Sequence, residues 1–192
     1  MADTNKVRYG FKNVYYSVLT ETEGEVTFAT PKAWKGAKSL TLDPEGDTQT
    51  FYADDMAYFT QSTNNGYSGT LEMAYLPDDV LKDIFGYFET NDGMLAEDAN
   101  VAPKSVALLC EFNGDQKAVR HVFYKIVFGR PGTEANTQED TIEPDTQSID
   151  ITCVPIADGE HNWIKAKCPS TSAKYATFFE TAPKLPVPQE EA

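Results

Sequence analysis

The run Val119-Arg120-His121-Val122-Phe123-Tyr124-Lys125-Ile126-Val127-Phe128 constrains the fold more than any other stretch of this chain. It is β-branched and aromatic, has no internal Gly or Pro, and stops at Gly129-Arg130-Pro131-Gly132, which is the pattern of a strand. Alternation puts Val122, Tyr124, Ile126 and Phe128 on one face and Val119, His121, Phe123, Lys125 and Val127 on the other. Neither face is polar throughout, so both are expected to be covered. One cover is the domain's own core; the other is a helix or a second copy of the chain. Residues 148–153 contrast with this run. Ile149, Ile151 and Cys153 share one face and Ser148, Asp150 and Thr152 the other, as in an antiparallel strand buried on one side. Glu143-Pro144-Asp145 separates it from a short edge segment at 140–142.

The remaining chain reads as more strands around one helix. Residues 13–20 and 25–29 give the first two. Residues 38–42 and 49–53 flank Asp43-Pro44-Glu45-Gly46-Asp47, which reads as a hairpin loop, and residues 56–61 and 67–75 flank Thr63-Asn64-Asn65-Gly66, a strong hairpin signal. Pro77-Asp78-Asp79 starts a helix whose apolar stripe is Val80, Leu81, Ile84 and Phe85, with Gly86 as its stop. Residues 89–104 are a loop, residues 105–112 and 117–128 pair as the central hairpin, and residues 163–166 add a short strand. Tyr175, Ala176 and Phe179 stand at helical spacing, so a second short helix is expected over 172–179. With no repeat and no linker dividing two cores, residues 1–192 read as one mainly β, α+β domain of sandwich type. Residues 1–12 form an N-terminal arm, and residues 181–192 form a Pro-rich C-terminal tail.

Charge bears on partners. The net charge is −14 and the sequence pI about 4.4, so the chain repels nucleic acid and anionic lipid unless its sixteen Lys and Arg are gathered together. Along the sequence they are not. No apolar run is long enough to span a membrane, and the first residues lack the apolar segment of a secretory signal. Cys110, Cys153 and Cys168 are widely spaced, and the first two lie in apolar strand patterns, so buried free thiols are expected.

Few motifs here carry chemistry. No Gly-rich phosphate loop is present, and Gly66-Tyr67-Ser68-Gly69 precedes a strand where an esterase elbow needs a helix. His121 reads as a structural histidine of its strand. Asp43, Glu45, Asp47 and Asp54 have spacing like a calcium loop, but Pro44 is rigid and Thr48 stands where such a loop needs Gly. Asp54 and Asp55 as adjacent strand residues would point to opposite faces, which disfavours a catalytic pair. Tyr52, Tyr58, Phe59, Tyr67 and Tyr75 read as packing residues in preference to a sugar-binding groove. Neither an enzyme, a cofactor nor a metal site is expected.

An ordered set of segments resembles the major tail protein, or tail tube protein, family of siphovirus-type phages of Gram-positive bacteria. These are Thr50-Phe51-Tyr52-Ala53-Asp54-Asp55, Gly66-Tyr67-Ser68-Gly69-Thr70-Leu71-Glu72, Leu76-Pro77-Asp78-Asp79, His121-Val122-Phe123-Tyr124 with Gly129-Arg130-Pro131, and Thr141-Ile142-Glu143-Pro144 with Ile149-Asp150-Ile151-Thr152. The resemblance implies an antiparallel β-sandwich flanked by one α-helix, with an extended loop and terminal arms. It implies hexameric rings that stack into a hollow tube around a tape-measure protein, with tail terminator and tail-tip or baseplate proteins at the ends. Phage DNA passes through without specific binding, and no membrane is involved. The protein would then belong to the virion, assembled in the host cytoplasm.

Three segments are the expected contacts between subunits: residues 2–11 with Phe11, residues 30–36 with Trp34 as an apolar anchor, and residues 129–139 with Arg130 and Pro131. The arm and the last loop are expected to order only when subunits meet. Asp47, Asp54, Glu143 and Asp145 are the candidate lumen acids, because a negative wall repels passing phosphates within about 8 Å. The alternatives are a monomeric β-sandwich module binding carbohydrate or another ligand, or a tube protein of a phage-derived bacteriocin or injection system.

Overall fold

The expected central strand lies in the middle of a large antiparallel sheet. In this computed structural model residues 5–22, 25–133, 135–137 and 145–188 are described. The strands, in chain order, are β1 (Arg8–Thr22), β2 (Glu25–Phe28), β3 (Lys32–Ala33), β4 (Ala37–Glu45), β5 (Thr48–Ala53), β6 (Met56–Ser62) and β7 (Gly66–Met73). After helix α1 (Asp78–Asp83) come β8 (Phe88–Glu89), β9 (Leu95–Ala96), β10 (Val106–Gly114), β11 (Val119–Phe128), β12 (Gln147–Cys153), β13 (Ile156–Ala157), β14 (Asn162–Trp163) and β15 (Lys165–Pro169). The main sheet runs β2-β1-β10-β11-β12-β7-β4, with β3 added to β1 and β15 added to β11.

Strand β11 joins two layers. Its first half pairs with β15 and its last residues pair with β12, while β10 lies along its other edge. The change of partner coincides with a bulge. Val106 and Leu108 of β10 face Ile126 and Phe123, so β11 spends one residue more than its partner between them. The bulge reverses the side-chain parity, which corrects the alternation read from the sequence. Val122 and Tyr124 face one core, whereas Phe123, Ile126 and Phe128 face the other.

Both faces are covered, as a strand of this composition requires. The larger core lies between the layers and takes Val14 and Tyr16 from β1, Leu71 and Met73 from β7, Ile149 and Ile151 from β12, and Val80, Ile84 and Phe85 from the helix and its end. The second core sits behind Leu109, Val122 and Tyr124. Its cover is the chain's own C-terminal segment, through Phe178, Phe179 and Leu185. That segment is not the expected helix. Its N–H bonds mostly run three residues back, from Tyr175 to Ser172, Phe178 to Tyr175 and Glu180 to Thr177, as successive turns. Arg120 draws it onto the sheet: the guanidinium lies 3.9 Å from the Tyr175 ring centroid and 4.5 Å from that of Phe179.

The two expected hairpins between residues 37 and 75 are one. β4 pairs with β7 and β5 with β6, nested, and the tip is the two-residue turn Asp54-Asp55. Both aspartates have positive φ, 52° and 60°, a conformation Asp tolerates better than most residues. The glycines that suggested turns serve close approach instead. A Cβ on Gly46 would lie 2.0 Å from the Thr63 carbonyl oxygen, and one on Gly66 2.1 Å from that of Cys153. The three cysteines are buried and unpaired, and burial pushes the thiols of Cys110 and Cys153 up to about 12.

Candidate assembly surfaces

The outer part of the long hairpin stands apart from both cores. Among the described residues β5 and β6 pair only with each other, and a two-stranded ribbon alone is marginal in water. Its side chains are nonetheless apolar. Phe51, Tyr52, Met56, Tyr58 and Phe59 are 58–72% exposed, and Phe51 stands opposite Phe59. An apolar ribbon with open backbone edges is a surface built for a partner.

Residues singled out from the sequence fall in several places. Phe11 is half-buried and packs on Phe112 with ring centroids 5.7 Å apart. The described part of the arm before it, residues 5–10, is held on its own subunit. The Asn5 amide donates to the Lys117 carbonyl at 2.7 Å and its oxygen accepts from the N–H groups of Gln116 and Lys117. Asp115 accepts the Lys6 N–H at 2.8 Å. The cause is local: the turn between β10 and β11 presents donors that the arm can satisfy.

Trp34 is no surface anchor. It is 1% exposed and fills its own subunit's core between Tyr16 and Phe128, with ring centroids at 6.2 and 6.0 Å. Its indole N–H donates to the Tyr75 carbonyl at 3.3 Å. Arg130 clasps the loop before β10, donating to the Glu97 carboxylate and, at 2.7 Å, to the Val101 carbonyl. Pro131 follows it, half-exposed. Asp47 and Asp54 are exposed on the ribbon, at its base and tip, whereas Asp145 is exposed before β12 and accepts from Asn136 at 3.0 Å. Glu143 and the edge segment at 140–142 lie outside the described residues.

Of two buried polar groups, Glu111 escaped the sequence reading, whereas His121 was read as a structural histidine. Glu111 is 5% exposed and accepts from Arg120 at 2.9 Å, from Tyr175 Oη at 3.4 Å and from Lys12 Nζ at 3.3 Å. Burial opposes its charge, but Arg120 and Lys12 more than offset that and hold the carboxyl below its ordinary range. A lone Glu inside the apolar run of β10 was the available signal. His121 is 6% exposed, edge-on to Phe112 at 4.8 Å. Burial first, then Lys167, Arg8 and Lys165, bring it down to about 4, so it is neutral at pH 7.

The described residues form a mainly β structural subunit: an antiparallel sandwich with one short helix, free buried thiols and a projecting apolar ribbon. A family model described as phage tail tube protein matches residues 2–176, nearly the whole chain. The chain belongs to the phage tail tube protein family and is a structural tail protein of the virion. No curated protein matches it.

Proposed function

We propose that this chain is the repeating subunit of a phage tail tube: copies close into hexameric rings, and the rings stack into the hollow conduit through which DNA reaches the host. The observation that supports self-assembly is the ribbon of β5 and β6, which carries five large apolar side chains at 58–72% exposure and has no layer of its own subunit against it among the described residues. Packed on a neighbouring copy, those side chains leave water and the ribbon gains the second layer that a two-stranded hairpin lacks. Phe11, Arg130 and Pro131 serve the remaining contacts through the segments they order. Asp47, Asp54 and Asp145 are the exposed acids available to a lumen that must not hold DNA, with Glu143 alongside by sequence.

The tube encloses a tape-measure protein and ends on terminator and tail-tip proteins, and it is assembled in the host cytoplasm. The role is architectural, without catalysis. The test is electron microscopy of the purified protein over a concentration series, with and without tape-measure and tip proteins. Hollow tubes of six-fold symmetry support the reading; monomers under all these conditions overturn it.

A further inference from the structure

The C-terminal segment does not close flush on the second core. Between it and the sheet lies a cavity of about 390 Å³, within the range of about 300–1,000 Å³ usual for small-molecule sites. Leu109 of β10 and Val122 of β11 line it from the sheet, and residues 172–186 line it from the segment, Phe178 among them.

Two observations set the chemistry of an occupant. The first is a donor without an acceptor. Tyr124 lines the cavity and is 3% exposed, yet its hydroxyl meets no hydrogen-bond partner among the described residues, and burial alone pushes its pKa up to about 12. Gln147 Oε1 is the one side-chain atom there that is both sealed and unpartnered. The Tyr124 hydroxyl therefore opens onto free space, and the cavity is that space. Protonated at pH 7, it can donate.

The second is charge. Lys167, Lys174 and Lys184 line the cavity, and no Asp or Glu does. None of the three forms an ion pair with a carboxylate among the described residues. Glu180 belongs to the same segment but is exposed and outside the lining. In a chain of net charge −14, an apolar cavity with three cations, a free donor and no acid selects an anion that carries an apolar body.

We propose that this cavity binds an amphipathic anion of the fatty-acid type, its alkyl chain on Leu109, Val122 and Phe178 and its carboxylate taken by the Tyr124 hydroxyl and the lysine ammoniums. Such a ligand pins residues 172–186 to the sheet and adds to the hold of Arg120 on Tyr175 and Phe179. The site belongs to the single subunit and stands apart from the self-assembly reading. A second copy is the poorer occupant, because the cavity is already roofed by its own chain.

The test is calorimetric titration of the full-length chain with hexanoate, octanoate and decanoate, each below its micelle concentration. Affinity should rise about fourfold with each added methylene, and decanol should bind about tenfold more weakly than decanoate. K167E/K174E/K184E changes only exposed side chains and should weaken decanoate about tenfold or more. Tyr124→Phe should weaken it about tenfold with no loss of Tm, since the hydroxyl leaves no partner behind. Thermal unfolding of each variant, expected within a few degrees of the unaltered chain, separates a lost site from a lost fold. In the unaltered chain decanoate should also slow protease cleavage within residues 172–186. No binding of any of the three acids, equal binding of decanoate and decanol, or full binding by either folded variant overturns the proposal. A chain that sediments with phosphatidylglycerol vesicles and takes up no decanoate would make the lysines a membrane contact and overturn the proposal by that route.

Discussion

Replacing Phe51, Tyr52, Tyr58 and Phe59 together by Thr separates folding from assembly. Thr keeps the β preference of the ribbon while removing its aromatic surface. Full burial of a large apolar side chain is worth about 1.5–3 kcal/mol. These four are 58–72% exposed in the subunit, so about 1–2 kcal/mol of each remains for a neighbour, or about 4–8 kcal/mol for the ribbon before ordering costs. If half survives those costs, the change raises the concentration needed for assembly by about 30-fold or more. Subunit stability should barely move, because none of the four belongs to either buried core. Thermal unfolding of the monomer and sedimentation over a concentration series read the two effects separately. A large fall in Tm, or assembly at the unaltered concentration, would refute the assignment of this ribbon to a partner.

Other consequences concern the subunit alone. Trp34→Ala should cost about 3–5 kcal/mol in denaturant unfolding, as cavity-forming aromatic deletions do; a cost below about 1 kcal/mol would contradict its burial against Tyr16 and Phe128. His121 has a folded pKa near 4 against 6.5 unfolded, so the unfolded chain binds the proton first. Its contribution is complete above pH 6.5, is lost as pH falls toward 4, and reaches about 3 kcal/mol at most. In paired titrations His121→Gln should flatten the stability slope between pH 6.5 and 4, and parallel curves would refute this. Arg120→Ala leaves Glu111 buried with Lys12 as its remaining cation and should cost about 3 kcal/mol. It should also expose residues 170–188 to protease, and unchanged protection would show that the clasp does not hold that segment.

The strands were legible where hydrophobic alternation is strict, as at Ile149, Ile151 and Cys153, and the helix where Pro77-Asp78-Asp79 precedes an apolar stripe. Pairing was less legible. Gly46 and Gly66 resembled hairpin turns, although the tip needed two residues of positive φ and used Asp54 and Asp55, which lack the usual glycine. The bulge in β11 had no signal of its own, because every residue around it is a good strand former. Trp34 looked like an exposed anchor in a Pro- and Gly-flanked loop, yet a hydrogen bond from its backbone N–H to the Val14 carbonyl turns the indole into the core. Arg8 and Lys165 are far apart in sequence, and only the register of β1, β10, β11 and β15 brings them together.

The central claim is that copies of this chain build a tube through the ribbon. A cryo-electron microscopy density map of the assembled protein, at a resolution that shows side chains, tests it most directly. Six-fold rings in a hollow tube are expected, with Phe51 and Phe59 buried against a neighbouring copy. A tube whose ribbons project free into solvent would contradict the claim.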